Sequence, residues 1–589
     1  MRFFLAKSPF LWLDERMNIF TREVGSRRYR IASQSLWDPV RQRPFARQAV
    51  LGPADAAPMV DLGSVRTIGT QRIGDVGALL WVAEQLDLIR LIDRTCGLPP
   101  TAQSPTLGEM VLAVAVQRAC DPGAKCHVAA FLQSCLPRVS CLPATAFSGQ
   151  TFHRLAAQVQ VEQLEKAQLA IAQAILQHYV LATDVLAFDT TNFDTHIATT
   201  TAGELAQRGH AKSHRSDLRV VGLAILVSET GHVPLLHRPY PGNSSDQTVL
   251  SDCLKALGEL HTVLQEAQPE TPPGCRTIVR DGGSWREQLE LDLKVEGYHT
   301  LISLPLSHSA AQWALEQAAR RGAMKRVGGR LEQVRAARCR RQVGELDRTL
   351  VVVESQELLR GQKRGMAVAL GQARVQLRKL ERRAGGLSRT QLEERVKKIL
   401  GREHLSDFVV TTIQEKAGKL SLTWKVDAAQ RRRLERTRLG RRVLCTDHHL
   451  WSNGRIIESF RGQWKVEELF RRSKKGGVVP WGPSHQWADS SLRLPTFATV
   501  LGLALVSLVG LQLESRKSAK ATMEGLAEIR ATLVRVRTQQ RGRRATVLLA
   551  PDLSREQEKA IATFALDKWL PILSSSKQDT ENADIKLTA

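Results

Sequence analysis

Three carboxylates fall where strand and helix ends would present them. Asp189 closes the apolar run Val185-Leu-Ala-Phe188, and Asp281 closes Thr277-Ile-Val-Arg280. Glu467 lies in Phe460-Arg-Gly-Gln-Trp-Lys-Val-Glu-Glu-Leu-Phe-Arg-Arg-Ser-Lys474, seven residues before Lys474. Read as one helix, that spacing stacks Glu467 and Lys474 within about 20° of each other on one edge. The neighbouring Glu468 falls about 120° away from Lys474. Carboxylate oxygens are the donors that hard divalent cations prefer. Two such cations, about 3.5–4 Å apart, hold the attacking and leaving oxygens of a phosphodiester in line and neutralise their charge. A single Asp after a strand is more often a turn former, so the weight rests on the triple. Asp184 and Asp194 compete with Asp189, but one sits at the start of the expected strand and the other beyond its end.

These residues resemble those of the DDE transposases of bacterial insertion sequences. One group of them carries the signature Tyr-x2-Arg-x3-Glu-x6-Lys. In that register this chain has Phe460, Gln463, Glu467 and Lys474, so two positions match and two depart. Gly209-His-Ala-Lys-Ser-His-Arg215-Ser-Asp217-Leu and Pro241-Gly-Asn243-Ser-Ser-Asp246 also resemble stretches of that family, the second also reading as a turn before a helix N-cap. The resemblance spans about Thr67 to Leu511. It implies a ribonuclease H-like mixed β-sheet core with flanking helices, in an α/β multidomain chain. It implies a catalytic and metal-holding set of Asp189, Asp281 and Glu467, with two Mg²⁺ ions for which Mn²⁺ can substitute. Lys474, Arg471, Lys212 and Arg215 would contact DNA phosphates. The implied activity is cleavage and strand transfer at terminal inverted repeats, with double-stranded DNA and a second copy of the chain as partners. Two other readings share these residues: a structure-selective nuclease, and a transposase-derived DNA-binding protein without activity.

Composition sets the frame. A chain of 589 residues is too long for one core, so several domains are expected. The net charge of +25 and a pI near 10.1 favour a polyanionic partner. Between Leu301 and Gly440 there are 31 Lys and Arg against 14 Asp and Glu, so the excess is concentrated. The nine Cys form no Cys-x2-Cys pair, and Cys126, Cys135, Cys141 and His127 fit no common zinc-finger spacing. Reduced thiols in a cytosolic protein are expected, and the resemblance implies a bacterial cytoplasmic, nucleoid-associated one. The N-terminal apolar run is broken by Lys7 and Pro9, which argues against a secretion signal, and Met17 is an alternative start. Phe497 to Leu511 is apolar but short for a membrane span, so a buried core helix and no membrane are expected.

The positioning elements follow from periodicity. Residues 1–65 read as extended segments. Residues 66–180 carry helical repeats such as Leu164-Ala167-Ile171-Ala174-Ile175 and are expected to bind the DNA ends. Residues 181–305 read as β, ββ, α, β, α, β, the first part of the core. Residues 306–441 form a basic insertion containing strands, between the second Asp and the Glu. Residues 442–515 resume the core. Residues 516–589 read as helical with a polar, disordered tail from Ser575. Trp424 on a strand pattern reads as a core residue rather than a base-stacking one.

Overall fold

The computed structural model describes residues 18–569, apart from 25–26, 39–42, 54–65, 199, 214, 271–275, 321, 417–418, 483, 486–487, 538–543 and 550–552. The tail from Ser575 and the alternative start at Met17 lie outside the described residues.

Strands β1 (Asn18–Val24), β2 (Arg27–Asp38) and β3 (Arg43–Pro53) form an antiparallel sheet, and β4 (Arg66–Arg72) follows. Six helices come next: α1 (Gly74–Gln85), α2 (Leu88–Cys96), α3 (Leu107–Cys120), α4 (Val128–Gln133), α5 (Gly149–Gln158) and α6 (Val161–His178). The start of α3 is set by sequence: the Thr106 hydroxyl accepts from the Glu109 amide, and the Glu109 carboxylate accepts from the Thr106 amide.

Asp189 lies on a nine-stranded mixed sheet, and Asp281 directly follows another of its strands. Its first strands are β5 (Val185–Thr195), β6 (Arg219–Ser228), β7 (Pro234–Pro241), β8 (Arg276–Arg280) and β9 (Tyr298–Leu304). Helices α7 (Asp246–Asp252) and α8 (Leu254–Ala267) join β7 to β8, and α9 (Glu287–Val295) joins β8 to β9. The element order expected for residues 181–305 is therefore present. Strands β5, β6 and β7 are antiparallel neighbours, while β5, β8 and β9 run parallel.

The sheet does not stop there. After α10 (Ser309–Ala318), strands β10 (Lys325–Arg326), β11 (Val334–Val343) and β12 (Leu346–Ser355) join it beyond β15 (Arg441–Thr446), which pairs with β9. The strands expected in the basic insertion are thus divided between two bodies. Val351 and Val352 are wholly buried in the main sheet, which draws that hairpin into it. A second body comprises α11 (Gln356–Arg383), α12 (Arg389–Leu400), the hairpin of β13 (Val409–Lys416) and β14 (Lys419–Val426), and α13 (Ala428–Thr437). It has its own core, which includes Leu370, Leu377, Leu392, Phe408 and Leu422, with Trp424 packed against it.

Helices α14 (Asn453–Arg461), α15 (Trp464–Ser473) and α16 (Ser490–Gln512) return the chain to the main body. By length and composition α16 could cross a membrane, but 89% of its most apolar window is buried inside the protein, where α3, α5 and β7 pack against it. It is a core helix. The C-terminal part is not purely helical: α17 (Ala519–Ala527) and α18 (Arg555–Thr563) flank the hairpin of β16 (Arg530–Arg537) and β17 (Arg544–Leu549). Strand β16 pairs with β4, more than 450 residues earlier in the chain.

Candidate active site

Strand β5 does not end at Asp189. It stays paired with β6 to Thr195, because Thr191, Phe193 and Thr195 alternate inward and are all buried. Asp189 therefore sits mid-strand, partly open to solvent. Parallel pairing of β5 with β8 sets Ala187 opposite Val279, which brings Asp189 level with Asp281 two residues further along both chains. The Thr190 amide donates to Asp189 Oδ1 at 2.7 Å, and the Gly282 amide donates to Asp281 Oδ1 at 2.8 Å.

A third carboxylate joins this pair. Ser245 caps α7, and Asp246 is its first residue. The Thr190 hydroxyl donates to Asp246 Oδ1 at 2.7 Å. A Cβ on Gly283 would lie 3.5 Å from Asp246 Oδ2. Asp246 thus lies between the backbone after Asp189 and the turn after Asp281. By sequence Asp246 belongs to a stretch that reads as a turn before a helix N-cap. The available signal was its place in Pro241-Gly-Asn243-Ser-Ser-Asp246, which the capping pattern explained away.

Electrostatics reflects the crowding. Burial raises the Asp189 carboxyl to about 6, with Asp281 and Asp246 pushing the same way and Lys212 and the Thr190 amide opposing. Burial also lowers the Lys474 ammonium; Lys212 adds to this, while Asp189 and Asp194 oppose it. Lys474 therefore lies within electrostatic reach of Asp189. Lys212 Nζ donates to the Thr190 carbonyl at 2.5 Å, so it too is at the site. Arg215 is exposed and bound bidentately by Asp217, at 2.7 and 2.6 Å. Arg471 is exposed and pairs with Glu468 at 2.8 Å.

The Phe460–Lys474 stretch is not one helix. Helix α14 is capped by Gly462, and α15 restarts at Trp464 through tight bonds such as Lys465 N–H to the Gly462 carbonyl at 3.0 Å. Lys474 is extended, just past the end of α15. The break at Gly462 precedes both Glu467 and Lys474: Glu467 lies in α15 and Lys474 caps its C-terminus, so their seven-residue spacing runs along one helix. The start of α15 is held at the β6–β7 turn: Lys465 lies 3.5 Å from Glu229, and the Trp464 ring is 4.9 Å from that of His232. That turn is level with Leu186 of β5, on the side away from Asp281. Glu467 is in the first turn of α15, about 10 Å along the axis from Lys474. The structure brings Asp189, Asp281, Lys212 and Lys474 together, and α15, which carries Glu467, packs against β5 and β6. Glu467 is exposed, and its carboxylate makes no hydrogen bond or ion pair among the described residues. No group of three His, Cys, Asp or Glu side chains there is set at metal-ligating separations.

A double glycine fixes Lys474. Gly476, at φ +81°, turns the chain, and the Val479 and Trp481 amides bond the carbonyls of Arg472 and Ser473 at 2.9 and 2.8 Å. A Cβ on Gly477 would meet the Arg472 carbonyl oxygen at 2.2 Å. Gly477→Ala is expected to cost about 1–3 kcal/mol and to speed hydrogen exchange at the Val479 and Trp481 amides. Unchanged exchange there would show that the turn absorbs the methyl.

No family model and no curated protein matches this chain. Among solved structures it is similar to a piggyBac transposase synaptic complex with hairpin DNA, with 11% identity and a TM-score of 0.35, over 78% of this chain and 81% of that one. At that level the likeness carries no argument about function.

Proposed function

We propose that this chain is a DNA transposase of an insertion sequence, acting in the bacterial cytoplasm on double-stranded DNA as a dimer or larger assembly, through a ribonuclease H-like core. The observation that carries the reading is the Asp189–Asp281 pair at matched positions on adjacent parallel strands, with Asp189 raised to about 6 partly by its acidic neighbours. Carboxylates gathered so closely that one is raised by the charges of the others suit a site that binds cations. The element order along residues 185–304 and the basic composition support it.

The donors present fit Mg²⁺, which binds through one or two carboxylates and keeps waters and phosphate oxygens as its other ligands. Asp189 and Asp281 would hold it, and Glu467 or Asp246 would supply the third carboxylate. Bound there, the metal supplies charge neutralisation and an activated water. The chain's own groups do the positioning. Thr190 and Gly282 amides orient the two carboxylates. Lys212 and Lys474 present ammonium groups beside them, where a scissile phosphate would lie. Arg215 and Arg471 would first have to release Asp217 and Glu468.

The test is Mg²⁺-dependent nicking of a labelled duplex carrying the DNA that flanks the gene, followed by joining of the 3′-hydroxyl to a second duplex. Joining separates a transposase from a nuclease; no nicking by the unaltered protein refutes both. The same assay identifies the third carboxylate. If Asp246 fills that role, Asp246→Asn is expected to slow nicking on the order of a hundredfold and Glu467→Gln by less than about threefold. The reverse ranking would assign it to Glu467.

A further inference from the structure

The second body holds a site that the carboxylate chemistry does not use. Helices α11 and α12 enclose an open cavity of about 390 Å³. Five cations line it: Lys379 and Arg383 from α11, and Arg395, Lys398 and Arg402 from α12 and the residue pair beyond it. No Asp or Glu lines it. All five are exposed, and among the described residues none of them makes an ion pair, although Arg389, Arg431 and Arg438 of the same body do. Its floor is small and apolar, with Ala369, Ala373 and Leu380.

The spacing is regular. Lys379 and Arg383 are four apart, so they stack on one helix edge about 6 Å from each other. Arg395 and Lys398 follow three apart on α12, and Arg402, just past its end, extends that second row. Two converging rows of uncompensated charge repel one another unless an anion lies between them. Guanidinium groups, three of the five, match phosphate oxygens bidentately. The five cations are exposed along an open groove, which suits an extended polyanion rather than a single buried ion.

We infer that this groove binds the phosphate backbone of duplex DNA, without reading sequence, at a place separate from the carboxylates. The inference rests on the proposed DNA substrate and adds a second contact to it. The groove belongs to a body with its own core, so it can grip DNA independently of the sheet that carries Asp189.

The experiment compares two variants of the full chain, each shown by circular dichroism to be folded. One carries Arg395→Gln, Lys398→Gln and Arg402→Gln. The other removes three exposed charges of α13, with Arg432→Gln, Arg433→Gln and Arg436→Gln. Binding is measured by fluorescence anisotropy on a duplex with the flanking end sequence and on an unrelated duplex, over a range of salt. The groove variant is expected to bind both duplexes on the order of 10–100-fold more weakly and to lower the slope of log affinity against log salt by about 2–3. The α13 variant is expected to change little. Nicking by the groove variant at saturating protein is expected to match the unaltered chain, which separates loss of the groove from failure of the proposed chemistry. Equal losses in both variants would reduce the groove to general surface charge and overturn the inference. So would an unchanged salt slope. Displacement of a bound polyglutamate peptide, without any change in DNA affinity, would assign the groove to an acidic protein instead.

Discussion

Asp189→Asn is expected to abolish Mg²⁺-dependent nicking, by on the order of a thousandfold, and at the same time to stabilise the protein at about pH 8. Both effects have one cause. Burial, Asp281 and Asp246 raise the Asp189 carboxyl to about 6, so keeping it ionised in the folded state costs about 3 kcal/mol. The folded-state value is raised, so the favourable contribution is complete below the ordinary carboxylate range. It is lost as the pH rises through about 6. Above that pH the charge is a burden that asparagine removes, while asparagine's oxygen can still accept from the Thr190 amide. Melting at about pH 8 should therefore rise in the variant, by up to about 3 kcal/mol, and the gain should vanish near pH 4. Asp281→Asn should lose nicking similarly and relieve part of the same repulsion. A stabilised variant that still nicks would detach the carboxylate from the chemistry. A variant that neither stabilises nor nicks would remove the electrostatic account but keep the catalytic one.

Glu290→Leu is expected to destabilise the main sheet by about 3–5 kcal/mol. Glu290 is wholly buried between Arg280 and Arg348, with Arg348 at 3.2 Å, and takes a hydrogen bond from the Thr300 hydroxyl at 2.5 Å. Leucine leaves two guanidinium groups buried without that partner, and Arg280 is already lowered to about 9, chiefly by burial. The effect reaches the site, because Arg280 directly precedes Asp281 and bonds the Ser284 carbonyl and hydroxyl at 3.0 and 2.7 Å. It thereby ties down the turn Asp281–Ser284. Calorimetry should show the transition of the main sheet moving down while that of the α11–α13 body, with its separate core, stays in place. A common shift of both transitions would mean the two bodies unfold together. No shift would show that the ion pairs contribute nothing.

Sequence alone was enough for whatever depends on local pattern. The apolar runs before Asp189 and Asp281 marked β5 and β8, and those two strands are parallel neighbours in one sheet. The apolar run from Phe497 was long enough to demand burial, and α16 is buried. The charge excess of residues 301–440 marked a basic segment without showing its groove.

Tertiary structure decided what depends on pairing between distant segments. A glycine in a helical pattern costs only about 1 kcal/mol relative to alanine, so sequence could not tell that the stretch breaks at Gly462, leaving Phe460 on α14 and Glu467 on α15. Whether the hairpin of β11 and β12 joined the insertion or the sheet turned on which neighbour could bury Val351 and Val352, and β15 provided it. Asp246 entered the site only because Thr190 and Gly283, 56 residues before and 37 after it, fold against it. A short polar side chain at a helix start looks the same in sequence whether it caps, turns or faces a catalytic carboxylate; what distinguishes these is the arrangement of backbones that no local spacing encodes.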